Sequence, residues 1–144
     1  MTKPSMAQDI MSRQVITCTS RDSLAEVRKR MKEHNIRHIP VVDELTGHLE
    51  GLLTQKEVLQ QAFDIANKFG IGDLEHQEAK RKVRDIMRTD AKTITADACL
   101  LEAGEFFLAS KYGCLPVLEG QKLVGILTSA DFVRLSIELL KKDL

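Results

Sequence analysis

Polar and apolar positions follow two rhythms along this chain, and the sequence of rhythms comes round twice. Leu24, Val27 and Met31 stand at helical spacing among polar neighbours, and Leu100, Ala103 and Phe107 repeat that spacing later. Each set predicts an amphipathic helix with one buried face. Downstream, the runs Arg37-His38-Ile39-Pro40-Val41-Val42 and Cys114-Leu115-Pro116-Val117-Leu118 predict strands. A turn at 44–47 or 119–121 leads into a second strand ending at Gly51-Leu52-Leu53 or Gly125-Ile126-Leu127, and a second helix begins at Thr54 or Thr128. Upstream of each first helix lie a short Thr-rich extended piece (15–19 or 92–95) and a polar turn carrying Ser23 or Asp97. The predicted order is β-α-β-β-α, twice.

Identity backs the periodicity. Asp9-Ile10-Met11 recurs 76 residues later as Asp85-Ile86-Met87, and the same offset pairs Thr17 with Thr93, Leu24 with Leu100, Pro40 with Pro116 and Val41 with Val117. GLLTQKE at 51–57 then pairs with GILTSAD at 125–131 at an offset of 74. The chain is therefore expected to divide into a first repeat at 9–66, a connector at 67–84 and a second repeat at 85–141. Gly70 and Gly72 interrupt the preceding helix, and the connector reads as a charged, solvated helix. The second helices are apolar on more than one side, with Leu59 and Phe63 in one and Val133, Ile137 and Leu140 in the other. Such helices need cover on more than one side, which predicts a homodimer that buries them.

Composition narrows the functional classes. The chain has 144 residues, 43% hydrophobic and 29% charged, as a folded globular chain does. Lys plus Arg equals Asp plus Glu at 21 each, and neither half carries a basic stripe. That balance speaks against nucleic acid or an anionic membrane as partner. Aromatic residues make up 4% with no Trp, too few for a base-stacking platform. The first ten residues lack the apolar core of an export signal, and no apolar run reaches the ~20 residues that span a bilayer. Three cysteines, Cys18, Cys99 and Cys114, have no CxxC spacing and are read as small buried apolar residues in a reduced, cytoplasmic compartment.

The doubled pattern D-I-M … h-P-V-V-D … G-h-h-T-x-x-D/E resembles tandem cystathionine-β-synthase-type (CBS) domains, the pair known as a Bateman module. Gly125, Thr128 and Asp131 match the family's G-h-x-T/S-x-x-D/N motif fully. Gly51, Thr54 and Glu57 match with one departure, Glu57 standing where the family usually has Asp or Asn. The resemblance implies an α/β (α+β) fold of two repeats related by pseudo-two-fold symmetry, with small three-stranded sheets and helices on one side. It implies a stand-alone module without catalytic activity. It also implies adenosine-containing ligands (AMP, ADP, ATP or S-adenosylmethionine) in clefts between the repeats, with no metal and no catalytic cofactor.

Carried over by motif, the second site comprises Thr93, Ile94, Tyr112, Cys114, Pro116, Gly125, Thr128 and Asp131. The first comprises Thr17, Cys18, Ile36, Arg37, His38, Pro40, Gly51, Thr54 and Glu57. In such sites the acid holds the ribose hydroxyls, and the Thr three residues earlier meets a phosphate. The chemistry is coherent: a helix N-terminus favours an anion, and a carboxylate offers two acceptor oxygens to a vicinal diol. Gly125 is expected to let backbone approach the ligand. Glu57, one methylene longer, overreaches unless its rotamer bends.

Each feature also has a plainer explanation. Thr54 with Glu57, and Thr128 with Asp131, have the composition of a helix capping box. His34 and His38 have the i, i+4 spacing of zinc ligands, but Asn35 predicts a helix end between them. Arg28, Lys29, Arg30 and Lys32 are expected on a solvated helix face. The function expected is a regulatory sensor whose ligand alters the arrangement of the repeats or of two chains, read by an unknown protein target; the alternative is an oligomerisation module that binds nothing.

Overall fold

The computed structural model describes residues 3–143; residues 1 and 2, part of the stretch read for an export signal, and residue 144 lie outside the described residues. In chain order the elements are α1 (Ala7–Ile10), α2 (Leu24–His34), β1 (His38–Val42), β2 (Leu49–Thr54), α3 (Gln55–Phe69), α4 (Leu74–Lys80), β3 (Ile94–Thr95), α5 (Leu100–Ala109), β4 (Cys114–Glu119), β5 (Lys122–Thr128) and α6 (Ser129–Lys142). The fold is mixed α/β with small sheets, as the sequence pattern predicts.

Local chemistry accounts for the boundaries. The Ser23 hydroxyl accepts the Glu26 N–H at 3.1 Å and so caps α2. Asn35, left-handed at φ 51, ends that helix. In the second repeat the polar turn works differently: Asp97 takes the Thr95 hydroxyl at 2.7 Å, while Cys99 stands at the N-cap of α5 without a side-chain cap.

The chain folds into two compact units. One comprises residues 16–91, the other residues 3–15 together with 92–143. In the first unit, Leu24, Val27 and Met31 of α2 pack with Ile39, Val41, Leu53, Val58 and Ile65. In the other, Leu100 and Ala103 of α5 pack with Leu115, Val117 and Leu127, joined by Ala7 and Met11.

The sheets are two-stranded (β1–β2, antiparallel) and three-stranded (β3–β4–β5). β3 runs parallel to β4, Ile94 beside Val117, and β4 runs antiparallel to β5. The expected third strand of the first repeat is reduced to one parallel bridge, Cys18 beside Val41. Its backbone still bonds the sheet, Cys18 N–H to Pro40 O at 3.0 Å and Val42 N–H to Cys18 O at 2.9 Å.

The two D-I-M segments are exchanged with respect to the sequence repeats. The first, at 9–11, belongs to the unit that holds the second repeat's sheet, and the second, at 85–87, to the unit that holds the first repeat's sheet. Ser12 bridges Ile126 on β5, and Arg88 bridges Leu52 on β2. Pro116 lies opposite Ile126 and Pro40 opposite Leu52. At these positions the residue on β5 or β2 turns its N–H and C=O outward to the D-I-M segment, so a strand proline with no N–H costs the ladder nothing.

The connector departs from the solvated helix expected. After α3 a 3-10 turn at Ile71–Asp73 leads into α4, on which Glu78 is fully buried. Its carboxylate pairs with Arg28 of α2 at 2.8 Å, the only cation brought to it among the described residues. Val83, beyond α4, is also fully buried.

Candidate functional site

Strand alternation sorts the second-repeat residues by face. Leu115, Val117 and Leu127 point into the core. Cys114, Pro116, Ile126 and Thr128 therefore share the opposite face, Cys114 directly across from Thr128 at the end of the hairpin. Ile94, by contrast, packs in the core, so of the pair Thr93–Ile94 it is Thr93 that lies on the alternate side. Tyr112 is about half exposed, just ahead of β4.

Thr128 is the N-cap of α6 and Asp131 lies one turn in, 5% exposed. Oδ2 of Asp131 accepts the Thr128 N–H at 2.7 Å and the Thr128 hydroxyl at 3.3 Å. Oδ1 accepts Nη2 of Arg134, a residue that the motif does not include. The plain capping explanation is thus realised at this position, and the carboxylate is engaged on both oxygens.

The first repeat has the same frame with different chemistry. His38, Pro40, Leu52 and Thr54 share the sheet face opposite Ile39, Val41 and Leu53, and His38 lies across from Thr54. Burial, with the charge of Arg37 next to it, lowers the His38 pKa. Arg37 itself is exposed, and its carbonyl accepts the first N–H of α3, Gln55, at 2.8 Å. Thr54 accepts the Glu57 N–H at 3.2 Å and donates its hydroxyl to Glu57 Oε1 at 3.0 Å. Glu57 therefore bends back onto its own cap instead of overreaching. Cys18 packs in the core, Ile36 against its edge, and the Thr17 carbonyl accepts Arg30 at 3.0 Å.

Three expectations need correction. Gly125 does not leave room for a ligand, and Gly51 is closed in the same way. A Cβ on Gly125 would stand 2.5 Å from Met11 Sδ and 2.9 Å from the Ser12 carbonyl; on Gly51 it would stand 2.8 Å from Met87 Sδ and 2.9 Å from the Arg88 carbonyl. The motif glycine makes room for the D-I-M segment. The basic face of α2 is not simply solvated, because Arg28 pairs with Glu78 and Arg30 with Asp22 and Thr17. Cys99 is exposed and not buried. Cys18 and Cys114 are buried as expected, and desolvation, helped by the charges of Asp22 and Asp131 respectively, pushes both thiols up to about 12.

Arg134 and Arg30 are the residues that sequence reasoning missed at these sites. Arg134 had a readable signal, a cation at i+3 from the motif acid on one helix. Arg30 had none, because its partner Thr17 lies 13 residues away and only the fold joins them. Elsewhere in the same unit, an apolar groove of about 610 Å³ opens between α5 and α6, lined by Leu101, Phe107, Leu108 and Phe132 among others. It holds none of the predicted site residues, reaching only Ser129 next to Thr128. Among the described residues no three His, Cys, Asp or Glu side chains cluster closely enough to hold a metal ion, and no helix is long and apolar enough to cross a membrane.

The doubled hairpin-and-helix frame with its T-x-x-D/E caps defines a class. Residues 7–64 and 83–138 match the CBS domain, and the chain belongs to the CBS-domain family as a tandem pair. It is 30% identical over 142 residues to protein MJ1404 of Methanocaldococcus jannaschii, covering 96% of this chain and 34% of that protein, so it spans about a third of that relative. Among solved structures it resembles AcuB from Vibrio cholerae (30% identity, TM-score 0.77, covering 94% of this chain and 93% of that one). It also resembles the CBS domain pair of protein MJ0100, solved in complex with 5′-methylthioadenosine and S-adenosyl-L-methionine (28% identity, TM-score 0.74, covering 94% and 98%).

Proposed function

We propose that this chain is a regulatory module that binds an adenosine-containing ligand, AMP, ADP, ATP or S-adenosylmethionine, and acts through binding instead of turnover. The observation that carries the reading is the MJ0100 pair, which is matched over nearly its whole length and holds two adenosine compounds. The geometry supports it at the second repeat: Cys114, Pro116 and Thr128 share one sheet face, and the acid of the motif lies in the first turn of the helix that follows. There Asp131 would hold the ribose hydroxyls and the N-terminus of α6 the phosphate. The first repeat offers Glu57, half-buried and turned back on Thr54, with Arg37 as its cation and His38 as a neutral imidazole beside it. A ligand that favours one arrangement of the module over another shifts it by that difference in affinity alone.

The module also acts as a homodimer in this reading. Phe63 on α3, Leu101 and Leu108 on α5 and Leu140 on α6 are each at least 66% exposed, apolar surface of the kind that a second copy covers. Its free thiols fit a reducing cytoplasm. A second reading, a scaffold that binds nothing, is favoured by one observation: both motif acids are already engaged in caps.

A thermal-shift panel with the four ligands separates the two. Ligand at about 100 times its Kd adds ~2.7 kcal/mol, a rise of several degrees. An unchanged melting point with all four at millimolar levels contradicts the sensor and leaves the scaffold. Sedimentation as a monomer at micromolar concentration would contradict the dimer.

A further inference from the structure

We propose that Arg134 makes the second-repeat site selective for adenosine ligands that carry an anionic group, an inference that rests on Asp131 being the ribose acceptor. An ionised carboxylate has about four lone-pair sites, and three of those on Asp131 are already used by the Thr128 N–H, the Thr128 hydroxyl and Arg134. A ribose diol needs two, so one donor must leave. The Thr128 N–H is fixed by the backbone and the Thr128 hydroxyl shares the same oxygen, Oδ2, inside the cap, whereas Arg134 holds the other oxygen, Oδ1.

Arg134 is the group that moves. Its side chain is 65% exposed while its partner is 5% exposed, so it covers the carboxylate from the solvent side. A ligand that displaces it strips a cation from a buried acid and must offer something in return. A phosphate does so, because the guanidinium fork can turn from carboxylate to phosphate oxygens without losing its charge partner. An uncharged 5′ group offers no such exchange.

The first repeat lacks the device. Gln60 stands three residues after Glu57, where Arg134 stands after Asp131, and among the described residues Glu57 is held by Thr54. Selection through a cation displaced from the motif acid is thus a property of the second-repeat site.

The test is calorimetric titration of wild-type chain, Arg134→Gln and Arg134→Lys with AMP and with adenosine, the second-repeat signal being the part that Asp131→Ala removes. Wild type is expected to prefer AMP. Arg134→Gln should weaken AMP about tenfold or more and leave adenosine equal or tighter, while Arg134→Lys, which keeps the charge and loses the fork, retains part of the AMP preference. If Arg134→Gln weakens both ligands equally, or leaves their ratio unchanged, Arg134 merely props Asp131 and the inference is overturned. If wild type shows an Asp131-dependent signal with neither ligand, the ribose assignment itself has failed. Melting curves confirm folding; should Arg134→Gln not fold, the Lys variant decides by whether the AMP-to-adenosine ratio falls.

Discussion

Ser12 and Ile126 donate their backbone N–H groups to each other's carbonyl oxygens, both at 2.9 Å. This bridge lays the first D-I-M segment along β5, with Met11 and the Ser12 carbonyl filling the space that a side chain at Gly125 would need. Arg88 and Leu52 repeat the exchange at 2.9 Å, beside Gly51. Gly125→Ala should therefore destabilise the fold by about 1–3 kcal/mol, read as a lower urea midpoint. Adding Met11→Ala should not rescue it, because the Ser12 carbonyl still blocks the new Cβ and the buried Met11 side chain's own packing is lost. A Gly125→Ala chain of wild-type stability would show that the segment does not need the glycine.

The repeat, the element order and the helix caps were legible because they depend on local spacing and on residue types with strong conformational preferences. Leu24, Val27 and Met31 fall on one helix face wherever that helix sits. The exchange of the D-I-M segments was not legible, although both partners were conspicuous: Met11 and Gly125 are far apart in sequence, and a repeat at a fixed stride does not say which copy packs on which. The burial of Glu78 escaped for the same reason, since a charged residue in a charged connector gives no local sign of its partner Arg28. At the candidate site the motif acid was found, and the group that engages it, Arg134, was not.

Glu78 gives a pH signature. Its burial raises the carboxyl above the ordinary 4.5; Arg28 opposes the rise and Glu75 adds to it. The folded chain thus holds this proton more tightly than the unfolded chain. The cost to stability is absent below about 4.5 and grows as pH rises from there to the raised folded value, beyond which it stays constant. Glu78→Gln removes that cost, and Arg28, being part exposed, can rehydrate. The variant should melt above wild type at neutral pH, and the gap should close in acid. A gap independent of pH would contradict the assignment.

The three thiols should separate by reactivity. Cys99 is exposed, whereas Cys18 and Cys114 are buried with thiols pushed up to about 12. At pH 8 a thiol reagent should label one cysteine per folded chain, found at Cys99 by peptide mapping, and all three after unfolding. Rapid labelling of Cys114 in the folded chain would contradict its burial against the sheet face that Thr128 shares.

Titration of wild type and Asp131→Ala with AMP, ADP, ATP and S-adenosylmethionine, followed by calorimetry, is the most direct trial of ligand binding at α6. At least one of the four should saturate the wild-type chain, and Asp131→Ala should weaken it at least tenfold, since hydrogen bonds to a charged group are worth roughly 1.5–3 kcal/mol each. Equal affinity in the two proteins, or no heat from any of the four, would reduce Thr128 and Asp131 to a helix cap and contradict the account.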